Sequence, residues 1–213
     1  MYLKPSLLIL TSAFLLLTLV NPIYPREQAL QHVPTAFVVL ALAIDCRRNW
    51  LTTPAFVCTI LFFLVHILGA RYIYSAVPYD ELFSSLFGTS TRELFGFHRN
   101  HFDRLVHFLF GGLFLVASSS MIERYLISSR LQNLFLSFCV VTAMSGVYEV
   151  FEWWLTIVMS PHDADSYNGQ QGDMWDAQKD IGLAMLGSVL TMPFMARKFP
   201  VKATIKGTTD WIK

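Results

Sequence analysis

The stretch Leu131–Met159, LQNLFLSFCVVTAMSGVYEVFEWWLTIVM, decides the fold. A helix needs about 20 apolar residues to cross the hydrocarbon of a bilayer, and this run exceeds that while carrying only two charges, Glu149 and Glu152. Ionisable groups at membrane depth are expensive and as a rule face a bundle interior or a polar cavity. One segment therefore predicts both a membrane span and part of a site.

The rest of the chain agrees with it. Across 213 residues the composition is 54% hydrophobic and 15% charged, with a mean hydropathy of +0.47, too apolar for an ordinary soluble domain of this length. The net charge is +1, and the basic residues are scattered among helix ends, which leaves no footprint for nucleic acid. Further apolar runs at Ser6–Ile23, Ala29–Ile44, Pro54–Tyr74, Leu105–Ile122 and Asp176–Met195 complete an expected all-α, multi-pass transmembrane bundle of about six spans, one integral membrane domain over residues 1–213. The first run ends in Asn-Pro-Ile-Tyr-Pro without a small-x-small cleavage site and is read as a retained span, not a secretory signal. The second is the shortest, holds His32 and Pro34 near its start, and is open to a tilted or re-entrant reading. Cys58 and Cys139 fall inside apolar runs and Cys46 sits in a short basic loop, which predicts no disulfide.

Positive charge in short loops sets orientation. Lys4, the Arg47–Arg48 pair, Arg124 with Arg130, and the tail bearing Arg197, Lys198, Lys202, Lys206 and Lys213 fall on alternate connections, which places both termini in the cytoplasm. The Tyr74–Arg104 loop and the acidic Pro161–Trp175 loop then lie outside. Tyr72, Tyr74, Tyr79, Trp153, Trp154 and Trp175 are expected at that outer interface.

With this orientation the charged residues come to similar depth. His66 falls in the outer half of span three, Asp103 and His107 at the outer end of span four, Glu149 and Glu152 in the outer third of span five, and Asp173, Asp176 and Asp180 at the outer start of span six. Spacings of three, four and seven residues keep each group on one helix face. Two imidazoles with several carboxylates supply the ligands that zinc, manganese or iron accepts, and a carboxylate-only subset suits magnesium. The expected metal ligands are His66, Asp103, His107, Glu152, Asp173, Asp176 and Asp180, with Glu149 as general base. Arg71, Arg99 and Arg104 are expected to hold an anionic head group. Each has a plainer alternative: His66 as a bonded core histidine, Asp103 paired with Arg99 or Arg104, and Asp176 and Asp180 at a helix start where the dipole favours carboxylates. His98 and His101 are read as loop residues, and Gly111, Gly112, Gly182 and Gly187 as sites of close helix packing. There is no Gly-rich phosphate loop, no Cys-rich metal spacing and no His-Glu-x-x-His.

The segments His66-x-x-Gly69-Ala-Arg71-Tyr-x-Tyr74, Asp103-Arg-x-x-His107-Phe, Tyr148-Glu149-x-x-Glu152-Trp-Trp and Gln171-Gly-Asp173-x-Trp-Asp176-x-Gln-Lys-Asp180 together resemble the YjdF-like family of bacterial inner-membrane proteins. The resemblance spans nearly the whole chain from the third span onward. It implies a multi-pass protein of the bacterial inner membrane and speaks to topology more than to chemistry. Asp103-x-x-x-His107 at the start of one span, an acidic residue in the next and an Asp in the last are also similar to VanZ-like proteins, which raises an envelope-lipid hypothesis.

The leading expectation is a metal-dependent enzyme, a hydrolase or transferase, that handles a lipid or envelope precursor at the outer leaflet and has membrane lipids as its partners. A proton- or ion-coupled carrier is the alternative, and at six spans it would require a homodimer. Such a path needs polar groups in the inner half as well, where the sequence offers little beyond Thr142, Ser145 and Ser188. The third reading is a structural or accessory membrane protein whose charges hold the helices together.

Overall fold

The structure, a computed structural model, describes residues 2–126, 129–158 and 170–198. The expected outer loop over Pro161–Gly169, Met159 at the end of the fifth run, and Lys202, Lys206 and Lys213 lie outside the described residues. Eight helices follow in order: α1 (Leu3–Thr18), α2 (Pro25–Arg48), α3 (Thr53–Arg71), α4 (Tyr79–Phe87), α5 (Thr91–Phe95), α6 (Phe102–Tyr125), α7 (Arg130–Val158) and α8 (Asp176–Lys198), with no strand among the described residues. Four of them, α2, α3, α6 and α7, are long and apolar enough to cross a membrane, and α1 is a shorter apolar helix of 16 residues. The chain is an all-α, multi-pass membrane bundle.

Its burial pattern is that of a helix bundle solvated by lipid. On α1 the buried residues are Lys4, Thr11 and Thr18, while Ile9, Leu10, Leu16 and Leu17 face outward. On α7 the buried stripe at four-residue spacing is Asn133, Ser137, Val141, Ser145 and Glu149, and Val147, Ile157 and Val158 are exposed. A water-soluble helix turns its apolar stripe to the core. Here lipid already satisfies the apolar side chains, so the bundle hides its polar ones and packs through small residues.

Local signals explain where helices begin and end. Thr52 caps α3 by accepting from the Ala55 N–H, with Pro54 in the first turn, where a missing N–H costs nothing. Ser90 and Glu93 form a reciprocal capping box on α5. Asn49, in the left-handed region at φ 49°, ends α2. That helix begins at Pro25, earlier than its hydropathy suggested, and runs through Pro34 and Cys46 without interruption. The basic loop expected around Cys46 is thus helical. None of the three cysteines is in a disulfide.

Helix α6 is the axis, packed against α3, α7 and α8, and α3 in turn carries α1 and α2. The α6–α8 crossing is the closest: a Cβ on Gly111 would collide with the Ala184 carbonyl, and one on Gly187 with the Phe108 carbonyl. Ser188 adds a hydroxyl donated to the Gly111 carbonyl at 2.9 Å. Gly182, expected in this contact, instead faces open space. At the far end of the bundle Lys4 donates to Asp45 at 2.7 Å, joining α1 to α2. Trp153, Trp154 and Trp175 are exposed as expected, but Tyr74 is buried at 7% exposure because its hydroxyl has a partner inside the protein.

Candidate functional site

Two polar stations flank one apolar cavity near the end of the bundle formed by the C-terminus of α3 and the N-termini of α6 and α8.

The first station is built on α2 and α3. After α3 ends, Ile73 and Tyr74 take positive φ values of 46° and 56°, an uncommon conformation that is strained for a β-branched residue. It folds the chain back so that the Tyr74 N–H bonds the Gly69 carbonyl at 2.8 Å. Gly69 has to lack a side chain there, since a Cβ would sit 3.0 Å from both the Tyr74 and Phe102 rings. This turn delivers the Tyr74 hydroxyl to Nδ1 of His66, while Nε2 of His66 lies 2.8 Å from the Thr35 hydroxyl. Both ring nitrogens are thereby occupied.

Sequence reasoning missed most of this station. Gln28, Gln31, His32 and Thr35 are all buried on one stripe of α2, and their spacing of three, four and seven residues was the available signal. Gln28 donates to the Thr18 carbonyl at 3.0 Å and lies 3.4 Å from His32. Gln28 Oε1, Gln31 Oε1 and His32 Nδ1 are buried without a hydrogen-bond partner in the protein.

The second station joins α6, α7 and α8. Asp103 and His107 share a face of α6 four residues apart, with Oδ1 and Nε2 3.8 Å from each other. Glu149 reaches across from α7 to within 3.6 Å of the same imidazole. From α8, Asp180 completes a group in which ligand atoms of Asp103, His107 and Asp180 lie within 4.8 Å of one another, all three residues buried. Asp180 is 1% exposed and Glu149 8%. Among the described residues Asp180 Oδ1 and Glu149 Oε1 accept no hydrogen bond. Unsatisfied buried acceptors are rare in native proteins and mark places where a further group binds.

Immediately outside, charge is balanced. Arg104 donates to Asp176 at 2.6 Å and to Asp173 at 2.9 Å, and Arg99 to Asp176 at 2.8 Å. Lys179 adds 2.6 Å to Asp173. The Lys179 ammonium and the Trp175 N–H hold the Asp173 carboxyl below the ordinary carboxylate range. Arg104 also approaches Asp180, at 3.8 Å.

Of the residues expected to form the site, the structure gathers Asp103, His107, Glu149 and Asp180. Glu152 lies one turn along α7 from Glu149 and is bonded by Tyr148. Asp173 and Asp176 face Arg99 and Arg104. His66 stands across the cavity with partners of its own. Arg71 is elsewhere: it donates to the Thr18 carbonyl at 2.6 Å and to those of Val20 and Asn21 at 3.4 Å, closing the end of α1. His101 lies in the connection before α6, stacked on Phe97 at 4.0 Å.

The cavity between the stations has a volume of about 240 Å³. His66, Tyr74, Asp103, His107 and Tyr148 line one end and Phe62, Phe110 and Phe114 the other.

The half of the bundle away from these stations is more polar than the sequence suggested. Ser119 donates to Asn133 at 2.6 Å, Asn133 returns a bond to the Ser119 carbonyl at 3.1 Å, and Ser137 donates to the Asn133 carbonyl at 2.7 Å. These groups satisfy one another, and the fully buried Val141 separates them from Ser145 and Glu149.

No solved structure matches the chain. The inner membrane protein YjdF of Escherichia coli (strain K12) is 35% identical over 204 residues, which cover 92% of this chain and 91% of that protein. Residues 4–199 match the family described as predicted membrane protein (DUF2238), so the span of the match takes in every helix and both polar stations, and the chain belongs to the DUF2238 family of membrane proteins.

Proposed function

We propose that this protein is a divalent-cation-dependent enzyme of the bacterial inner membrane, acting on a lipid or envelope precursor at the leaflet where α6 and α8 begin. One observation carries the reading: Asp103, His107 and Asp180 converge with Glu149 in a buried group in which two carboxylate oxygens accept no hydrogen bond from the described residues, with Arg104 standing 3.8 Å from Asp180. Isolated buried charges cost several kcal/mol each, and a metal ion supplies the missing charge and the missing partners together. One imidazole with carboxylates is a donor set that suits zinc, manganese or iron. Magnesium would take the carboxylates alone.

In this reading Asp103, His107 and Asp180 hold the cation, with Glu152 in reserve one turn along α7. A cation held there would supply Lewis acidity, toward a bound water or a phosphoryl or carbonyl oxygen. Glu149, beside His107, is placed to take the proton from an attacking hydroxyl. Arg99 and Arg104, steered by Asp173 and Asp176, are the cationic groups that an anionic head would meet on the way in. The location is that of the Escherichia coli relative. Both termini on the cytoplasmic side would put the site at the outer leaflet.

The buried polar stripe of α7 favours a second reading, an ion- or proton-coupled carrier. It is the weaker one, because Val141 interrupts the stripe and Ser119, Asn133 and Ser137 already bond one another, although the Thr142 and Ser145 hydroxyls have no partner among the described residues.

Elemental analysis of protein purified in detergent without chelator tests the proposal. Near-stoichiometric zinc, manganese or iron in the wild type and in Arg71→Gln, but not in His107→Ala or Asp180→Asn, is the expected result. Equal metal in all four proteins, or none in any of them on dialysis against each cation, magnesium included, would overturn it.

A further inference from the structure

The cavity between the two stations is built like a lipid-binding slot. Its polar lining, His66, Tyr74, Asp103, His107 and Tyr148, clusters toward the end of the bundle where α6 begins. Its apolar lining runs toward the middle of the bundle: Phe62 is one helical turn inward from His66 on α3, and Phe110 and Phe114 lie one and two turns inward from His107 on α6. A lipid in the leaflet on that side has the same polarity, head at the surface and chain toward the midplane. The volume of 240 Å³ exceeds the roughly 150 Å³ of an engineered apolar cavity that stays dry and takes up benzene.

The slot also has a mouth. Pro34 on α2 and Met144 on α7 both line it, and both are exposed on the outside of the bundle, Met144 at 45%. Helix α2 packs on α1 and α3, and α7 on α6 and α8, so the gap lies between the two halves of the bundle, within the apolar zone. A ligand reaching it there arrives sideways from the bilayer.

We infer that this cavity takes one hydrocarbon chain of an amphipathic ligand, entering laterally between α2 and α7, with the ligand's polar head delivered to Asp103 and His107. The inference deepens the proposed function by naming the substrate class, and rests on that reading only for what happens to the head. Chain capture depends on the aromatic lining and the mouth; metal binding depends on Asp180, which does not line the cavity.

Photo-crosslinking separates the two. Purified protein is irradiated with phosphatidic acid bearing a mid-chain diazirine on one acyl group, and in parallel with a diazirine-bearing farnesyl phosphate, and the adducts are located by mass spectrometry. Adducts at Phe62 and Val106, both buried and both lining the cavity, are expected in the wild type, and labelling by either chain supports the inference and names the chain type. Met144→Trp at the mouth and Ser145→Leu on the wall should each cut these adducts at least fivefold while leaving adducts at the outward-facing Val147 unchanged. Because Met144 is already exposed, its replacement decides the matter should Ser145→Leu fail to fold. Asp180→Asn is expected to keep the adducts. Adducts confined to outward-facing residues, or equal in wild type and Met144→Trp, would overturn the inference whatever the metal analysis gives. Adducts retained in a protein without metal would leave the slot standing and sink the metal chemistry alone.

Discussion

The bundle buries charge in two places, and treats it differently in each. Where α1 meets α2, Lys4 donates to Asp45 at 2.7 Å, to the Leu51 carbonyl at 2.7 Å and to Asn49 at 3.3 Å, and the other Asp45 oxygen accepts from the Leu51 N–H at 2.7 Å. One cation faces one anion, and each has further hydrogen bonds. Where α6, α7 and α8 meet, carboxylates outnumber the cations that reach them, and two of their oxygens accept nothing. The first arrangement is what a bundle needs in order to hold together. The second leaves buried carboxylates short of partners, which the proposed function explains by what the site binds.

The contrast predicts opposite responses to mutation. Asp45→Ala leaves the Lys4 ammonium buried without its counter-ion, a loss of about 3–5 kcal/mol, to be read as a large drop in the midpoint of thermal unfolding in detergent. The double variant Lys4→Met/Asp45→Leu should regain most of it, since a well-packed apolar pair often equals a buried ion pair. If Asp45→Ala unfolds like the wild type, the distinction between the two regions fails. Arg104→Met tests the cationic rim of the second region: it strips Asp173 and Asp176 of one partner but leaves Arg99 with both and Lys179 with Asp173, so a smaller drop in the thermal midpoint than that of Asp45→Ala is expected.

Asp180→Asn should do the reverse. Removing a buried charge whose recorded cation, Arg104, stands 3.8 Å away and donates no hydrogen bond to it leaves stability unchanged or raised by about 1 kcal/mol, while metal binding is lost. A variant as destabilised as Asp45→Ala would assign the cluster a structural role.

The sequence made these two regions unequally visible. The carboxylates of α6, α7 and α8 stood out because a charge inside an apolar run is rare, and their spacing placed each group on one helix face; the bundle brings Asp103, His107, Glu149 and Asp180 together. The Lys4–Asp45 pair was hidden, because each partner lies near a helix end, where charge is ordinary, and 41 residues separate them. Gln28, Gln31, His32 and Thr35 went unread for a related reason: uncharged polar residues lower hydropathy without announcing a partner, and they made the second run look short and irregular when it is a continuous helix of 24 residues. His66 was expected among the metal ligands by depth alone. Depth is one coordinate, and the azimuth of α3 turns this side chain toward Thr35 and Tyr74. Arg71 was misjudged in the same way, since a basic residue at the last turn of α3 serves carbonyls at the end of α1 as readily as an anionic ligand.

A third carboxylate, outside the spans, gives the smallest expected effect and calibrates the other two. Asp80 at the start of α4 accepts from both the hydroxyl and the N–H of Thr91, each at 2.6 Å, and so ties α4 to α5. The Thr91 hydroxyl, helped by backbone N–H groups, holds the Asp80 carboxyl below its ordinary value of 3.8. A carboxylate whose pKa falls on folding contributes stability that is complete above the unfolded value and disappears as pH drops through the folded one. Hydrogen exchange of the Thr91 and Arg92 amides should therefore be slow and flat from neutral pH down to about 4 after correction for the intrinsic rate, then lose protection below it. Asp80→Asn keeps an acceptor but not its charge, so its protection should be weaker at neutral pH and lack the acid step, with no change in the thermal midpoint of the bundle. A drop in that midpoint comparable to Asp45→Ala would mean that the α4–α5 connection is as much a part of the bundle's cohesion as the Lys4 pair, and that burial is not what sets the two ionic regions apart.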